Sequence, residues 1–243
     1  MSDPSVIEPI AARGWPAAEH AQLGGWRLYA SRGCSGRINT CWQHGAPGRP
    51  PLEAVEAVEA WYAARAFPAR FKIVETDPAA AGLIALLASR GYRSHTPTLT
   101  MTGPLRGEPD PQIRVDEEIG GDFACVFGNE TFGDVLDASE RLEALARIPK
   151  PRGFALAEVD GAAAAVGTVA IEGEWAGTLG MRTLPDFRRH GLGRRVFRAL
   201  GAHALAAGAR HGYLQVDADN ARAIALYESE GYVSRYLYRY WER

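Results

Sequence analysis

Arg188-Arg189-His190-Gly191-Leu192-Gly193 stands directly before an amphipathic helical pattern, and this junction constrains the fold more than any other stretch. Leu192, Val196, Leu200 and Ala204 recur at spacing four, and Phe197 widens the stripe, which predicts a helix over Gly193 to Gly208. A helix start carries unpaired N–H groups and the positive end of the dipole. Glycines let such amides turn toward one point and let a ligand approach closely. Arginines at the rim add charge-assisted bonds. The junction is therefore an anion cradle, suited to a phosphate. It fits neither of two other phosphate loops. No G-x-x-x-x-G-K-[S/T] string exists. A G-x-G-x-x-G reading fails because the sixth position is Val196 and no strand immediately precedes Gly191.

The rest of the composition narrows the anion. The chain has 243 residues and a formal net charge of -2, whereas a general nucleic-acid binder carries a basic excess. A basic cluster in a near-neutral chain points to a small anionic ligand. The N-terminal stretch lacks a basic leader and apolar core, and no run of about 18 apolar residues occurs. A cytoplasmic protein is expected, with no membrane and no nucleic-acid partner. Cys34, Cys41 and Cys125 are odd in number and form no C-x-x-C pair, so neither a disulfide framework nor a metal site is expected.

Turn formers dominate "GPLRGEPDPQ". This stretch places a linker at 104–112 between an N-terminal domain, 1–103, and a C-terminal domain, 113–243. In the second part "IRVDEEI", "FALAEVDG", "AAVGTVAIE", "AGTLGMRTL", "YLQVDA" and "YVSRYLYRYW" read as strands, with Asp160-Gly161 as a hairpin turn. Gly121 to Arg147 reads as interrupted helix. "DNARAIALYESEG" reads as a helix capped by Asp219 or Asn220 and ended by Gly231. The sum is an α+β domain with a mixed, mostly antiparallel sheet flanked by helices. The first part echoes it. "RFKIVETDPAAAGLIALLASRGYRSHTPTLTM" has the same order of strand, loop, helix, glycine and strand. Aligned on Gly91 and Gly231, Leu87 stands opposite Tyr227 and Ala80 opposite Asn220, which suggests a duplication.

The order from Leu179-Gly180-Met181-Arg182-Thr183-Leu184-Pro185 through the R-x-x-G-x-G loop to Asn220, Ala223, Leu226, Tyr227, Gly231 and Tyr232 resembles the GCN5-related N-acetyltransferase (GNAT) superfamily. Thr183 and Tyr232 depart from the usual valine and phenylalanine. More loosely, the whole chain resembles tandem GNAT proteins whose first half is degenerate, with "HGAPGRPP" where the phosphate loop belongs.

The resemblance implies an acyl-CoA N-acyltransferase fold in which two parallel strands splay apart and acetyl-CoA lies in the wedge. It assigns the pantetheine to the backbone of Met181, Arg182 and Thr183. It assigns the pyrophosphate to Arg188, Arg189, His190, Gly191, Leu192, Gly193 and Arg194. Asn220 and Tyr227, seven apart on one helix, return to within about 20° of the same face and can both meet the cofactor. Tyr227 is the expected general acid for the departing thiolate, with a core aromatic as its bland alternative. Asn220 has the alternative of being only a cap, and His190 that of a surface residue. Arg195 and Arg198 read as a solvated face. The acceptor is an amine of a small molecule, amino acid or peptide. A non-catalytic acyl-CoA-binding module and a longer acyl donor are the rival readings.

No base is legible. Ala176 to Leu184 holds no acid, Glu172 and Glu174 read as a solvated hairpin tip, and Glu130 and Asp134 are alternatives. The acids Asp137, Glu140 and Glu143, with Glu130 and Asp134, either welcome a cationic acceptor or form one solvated helical face. Monomer and homodimer stay open.

Overall fold

The computed structural model describes residues 3–78, 80–129 and 135–243. Its centre is one sheet of eleven strands. The first half contains α1 (Pro4–Gly14), β1 (Glu19–Leu23), β2 (Trp26–Ala30), β3 (Thr40–Trp42), α2 (Pro51–Ala63), β4 (Phe71–Val74), α3 (Ala80–Ser89) and β5 (Arg93–Pro104). The second contains β6 (Ile113–Asp116), α4 (Gly121–Phe127), α5 (Val135–Ala146), β7 (Arg152–Val159), β8 (Ala162–Glu172) and β9 (Trp175–Thr183). It continues with α6 (Leu192–Ala206), β10 (His211–Asp217), α7 (Ala221–Ser229) and β11 (Val233–Glu242). Asp160 and Gly161 turn the β7–β8 hairpin at φ 51° and 79°, the left-handed pair that a two-residue hairpin demands.

Two helix ends repeat each other bond for bond. The Tyr92 amide donates to the Leu87 carbonyl and the Tyr232 amide to the Tyr227 carbonyl, each at 3.0 Å. Between them Gly91 and Gly231 sit at φ 86° and 88°. The halves nevertheless do not keep their own strands. The strand order is β1-β2-β3-β4-β11-β5-β10-β9-β8-β7-β6. Thus β5, from the first half, pairs antiparallel with β10, while β11, the last strand, pairs antiparallel with β4. The two exchanged strands pair with each other at the centre. The sheet is therefore continuous across the boundary read at 103.

Pro104 belongs to β5, and residues 105–112 lie against α6 rather than hanging loose. Arg195 binds both Asp110 oxygens, at 2.8 and 2.9 Å, and Gln112 Oε1 at 2.7 Å. Arg198 reaches Glu230 Oε2 at 3.0 Å, and that carboxylate is buried. Arg198 is exposed and Arg195 partly so, in keeping with the solvated face expected of them, and both also act as anchors, one for the connecting segment and one for the end of α7.

The acids of α5 also find partners. Glu140 is fully buried and accepts from the amides of Arg32 and Ser35 and from Asn39 Nδ2 at 2.8 Å. Glu143 binds Arg32 at 2.6 Å, and Asp137 binds Arg141 at 2.8 Å. These three acids are neither one solvated face nor three free charges. Glu140 fastens the 32–39 loop of the first half to a helix of the second. Glu140→Ala leaves two backbone amides and an amide side chain without their acceptor. It should lower unfolding stability by about 3–5 kcal/mol. Urea unfolding at unchanged m checks this, and a loss below about 1 kcal/mol removes Glu140 from that role.

Candidate active site

β9 and β10 run parallel and pair from Trp175/His211 to Thr178/Leu214. Past that point they separate. β9 continues to Thr183 against β8, and β10 to Asp217 against β5. A bulge opens the wedge. The β8–β9 register shifts between Val166 and Thr168, where Gly180 of β9 adopts φ 59°. A bulge adds a residue to one strand and bends it away from its neighbour. Gly180 is needed for space as well, since a Cβ there would stand 2.7 Å from the Phe127 ring.

The wedge opens into a cleft of about 410 Å³. Of the residues singled out from sequence, Met181, Arg182, Thr183, Gly193, Asn220 and Tyr227 line it. Alternation along β9 gives their side chains different faces. Met181 packs against the buried stripe of α6. Thr183 Oγ1 lies 3.9 Å from where a Gly193 Cβ would be. Arg182 turns to the other face, its guanidinium 4.5 Å from the Phe127 ring of α4. Burial, reinforced by nearby Arg141, pushes Arg182 down to about 10.

The loop between β9 and α6 forms the end wall. Gly191 is the N-cap, at φ 76° in the left-handed region, and Arg189 sits at φ 68°. The first intrahelical bond is Arg195 N–H to the Gly191 carbonyl, 3.1 Å. The amides of Leu192, Gly193 and Arg194 precede any i−4 partner and stand at the positive end of a 15-residue helix. A Cβ at Gly191 would meet nothing within 4 Å, so the space above the cap is open. The side chains here have other work. Leu192 is in the core, Arg194 reaches Ser229 at 2.8 Å and Glu230 at 3.1 Å, and Arg188 donates to the Thr183 carbonyl at 3.2 Å. His190 is exposed. What Leu192 and Arg194 present at the helix start is their backbone.

Asn220 caps α7, its Oδ1 accepting from Ala223 N at 3.1 Å, and it borders the cleft while doing so. Tyr227 is 7% exposed, its ring 5.3 Å from Phe197. Its hydroxyl has no hydrogen-bond partner among the described residues. Burial pushes the phenol up to about 12, so the neutral donor form persists across the working pH range. A consequence is testable: the ratio of wild-type to Tyr227→Phe turnover should stay constant from about pH 7 to about pH 10. A ratio that falls toward one by about pH 10 means the phenol ionises there and burial does not hold it neutral.

Sequence reasoning missed several lining residues: Trp15, Arg37, Phe127, Arg141 and Gln215. Trp15 and Arg37 come from the first half, and no local signal places them here. Gln215 did carry one, as a polar residue inside the apolar run "YLQV". Its Nε2 donates to Glu8 Oε1 at 2.9 Å. Glu172 does not line the cleft; it stands exposed at the end of the β8–β9 hairpin, as expected, and there pairs with Arg13 at 2.6 Å. Glu130 and Asp134 lie outside the described residues. Among those described, Asp217 is the carboxylate that borders the cleft, and it accepts from Asp219 N at 2.9 Å.

Splayed parallel strands closed at one end by a helix start are how the GNAT fold is built, and solved structures with that fold match the chain along nearly its whole length. A GCN5-related N-acetyltransferase from Kribbella flavida superposes with a TM-score of 0.71 at 19% identity, covering 100% of this chain and 96% of the other. A tandem GNAT protein from the clavulanic acid biosynthesis pathway gives 0.62 at 17% identity, covering 94% and 84%. In sequence, the uncharacterized N-acetyltransferase YobR of Bacillus subtilis (strain 168) is 27% identical over 253 residues, 98% of this chain and 99% of its own. Residues 2–241 match the family described as the C-terminal part of the probable histone acetyltransferase Rv0428c, and the chain belongs to that family of GNAT acyltransferases.

Proposed function

We propose that the chain moves an acetyl group from acetyl-CoA directly to an amine, in the wedge between β9 and β10. The observation that carries this reading is the alignment of a helix start free to take an anion, an unpaired strand edge and a neutral buried phenol along one cleft. Acetyl-CoA is a substrate here. The α6 amides hold its pyrophosphate, and the β9 edge pairs with its pantetheine as an added strand does. The amine nitrogen attacks the thioester carbonyl, and a backbone N–H near Met181 faces the oxyanion. The C–N bond forms, the C–S bond breaks, and Tyr227 supplies the proton to sulfur. The proton lost by the amine restores the phenol through water.

The same reading confines acetyl-CoA to the second half. There the amides of Leu192, Gly193 and Arg194 open α6 ahead of its first i−4 bond. In the first half α2 begins at Pro51 after Pro50, so the first of its three opening positions has no N–H to offer, and Leu52 and Glu53 supply two. Leu87 replaces the phenol. Calorimetry with acetyl-CoA should give one site per chain. Two equivalents bound contradict the confinement. Thiol release on adding amines then tests the transfer. Tight binding with no release from any amine would favour the rival reading, a non-catalytic acyl-CoA-binding module.

A further inference from the structure

The two faces of β10 meet different sides of the cleft. Leu214 and Val216 pack with Phe197 and Tyr227 on the side of α6 and α7. Tyr213, Gln215 and Asp217 alternate with them and face the other way. The Tyr213 hydroxyl donates to the Ile10 carbonyl of α1 at 3.4 Å. Gln215 is also turned inward. Its Nε2 donates to buried Glu8 at 2.9 Å, and its Oε1 accepts from the Tyr238 hydroxyl at 3.4 Å. Asp217 is the next residue on that face, and it is exposed and borders the cleft. It lies past the last β9–β10 pair, Thr178 with Leu214, where the strands have separated.

The backbone holds Asp217 in place. It pairs with Thr98 of β5, the Ala218 amide donates to the Pro97 carbonyl at 2.8 Å, and the Asn220 amide donates to the Asp217 carbonyl at 3.0 Å. One carboxylate oxygen, Oδ1, accepts from the Asp219 amide at 2.9 Å. The other has no hydrogen-bond or ion-pair partner among the described residues. A fixed carboxylate with one oxygen to spare at a cleft wall can take a proton from a bound donor. Tyr227 lines the same cleft from the opposite face of β10. The strand edge therefore separates a proton donor on the α7 side from a proton acceptor on the other.

We propose that Asp217 is the general base of the transfer and takes a proton from the acceptor's ammonium group, directly or over one water. This rests on the acetyl-transfer reading. An alkylamine such as a lysine side chain is cationic up to about pH 10, and its nitrogen has no lone pair for attack until a proton is removed. That proton passes to Asp217. The freed lone pair forms the C–N bond at the thioester carbonyl. The C–S bond breaks, and sulfur takes the Tyr227 proton. The nitrogen then sheds its second proton, which restores the phenol through water, while Asp217 gives up the first to solvent.

Asp217→Asn keeps an oxygen for the Asp219 amide, so the turn into α7 survives and only the basic group is lost. Thiol release from acetyl-CoA is followed with tyramine, spermidine, L-lysine and a lysine-bearing peptide, and the fastest of these is carried into kinetics. At pH 7 the variant's kcat/KM for that amine should lie about 100-fold or more below wild type. Acetyl-CoA affinity, read by calorimetry, should stay within about twofold. The deficit should shrink as pH rises, because the variant depends on the neutral fraction of the amine, which grows about tenfold per pH unit below the amine's own pKa. From about pH 7 to about pH 9 the ratio of wild type to variant should fall about tenfold or more. The other charged or titratable groups around Asp217 are Arg37, Arg141, Arg182 and Tyr227 of the cleft and Asp219 of the turn. Arginines and carboxylates keep their charge across that window. Burial leaves Arg182 at about 10 and Tyr227 at about 12, both above it. A merely structural Asp217 gives a ratio that does not change with pH. A constant ratio, or a loss below about threefold at pH 7, overturns the proposal and leaves the transfer reading standing. If Asp217→Asn loses acetyl-CoA binding, Asp217→Ser, whose hydroxyl can accept from the same amide, is measured in the same way. Acetyl-CoA binding without thiol release from any of these amines overturns the transfer reading, and the base with it.

Discussion

Gly193→Asp should weaken acetyl-CoA binding by about 100-fold or more, equivalent to roughly 2.7 kcal/mol, while the protein stays at least as stable as the wild type. The two effects have opposite signs for one physical reason. Gly193 lies in the first turn of α6, and its Cβ position has only ordinary contacts, at 3.9 Å, with Leu226 and Thr183. A side chain there strains nothing. A carboxylate in a first helical turn is favoured by the dipole, and replacing glycine removes unfolded-state freedom. That same carboxylate occupies the spot where the pyrophosphate is proposed to sit, and it repels it. Gly193→Ala separates charge from bulk, and its affinity should fall less than that of the aspartate variant. Gly191→Asp is a poorer probe, because its φ of 76° makes any side chain cost about 1 kcal/mol. Calorimetry beside a thermal melt decides. A folded Gly193→Asp protein with unchanged affinity would show that the loop does not hold the phosphates.

Tyr227→Phe should lower kcat by about 10²–10⁴, a barrier increase of roughly 3–5 kcal/mol. Acetyl-CoA affinity should hardly move, because the proposed contacts are backbone groups of β9 and α6. Stability should not fall either. The hydroxyl has no hydrogen-bond partner among the described residues and Tyr227 borders the cleft, so removing that hydroxyl takes no hydrogen bond from the fold. The ring and its 5.3 Å contact with Phe197 remain. A thiolate departs more easily than an alkoxide, which places the expected loss toward the lower end. A loss below about threefold with chemistry rate-limiting returns Tyr227 to the role of a wall.

Much of the fold was legible from local chemistry. Asp160-Gly161 reads as a hairpin turn because few other pairs accept two left-handed residues in succession. The stripe from Leu192 to Ala204 reads as a helix because its spacing puts four apolar residues on one face, and all four are buried. The helix begins at Leu192, one residue before the glycine assigned to its start, since Gly191 rather than Leu192 supplies the cap. The echo between Leu87-to-Tyr92 and Tyr227-to-Tyr232 was visible because a glycine-ended helix has a short, local signature.

The partners of those elements were not legible. Strand exchange between β5 and β11 depends on which edge of a long sheet each strand reaches, and both carry the alternation that suits either place. Charged residues were the hardest to place. Glu140 reads as one more exposed acid on α5, yet it is buried by a loop about a hundred residues away in the chain. Arg195 and Arg198 read as solvent-facing, and while they keep part of that exposure they also tether the connecting segment and the end of α7. A charge carries no periodic signal that names its counter-ion, so its role is settled only when distant segments meet. The glycine loop at the start of α6, the cap Asn220 and the phenol Tyr227 follow from chain-local geometry, within one strand–helix–strand–helix run. The wall opposite them, with Trp15 and Arg37 from the first half and Arg141 from α5, exists only because tertiary packing brings three separate segments to one side of β9.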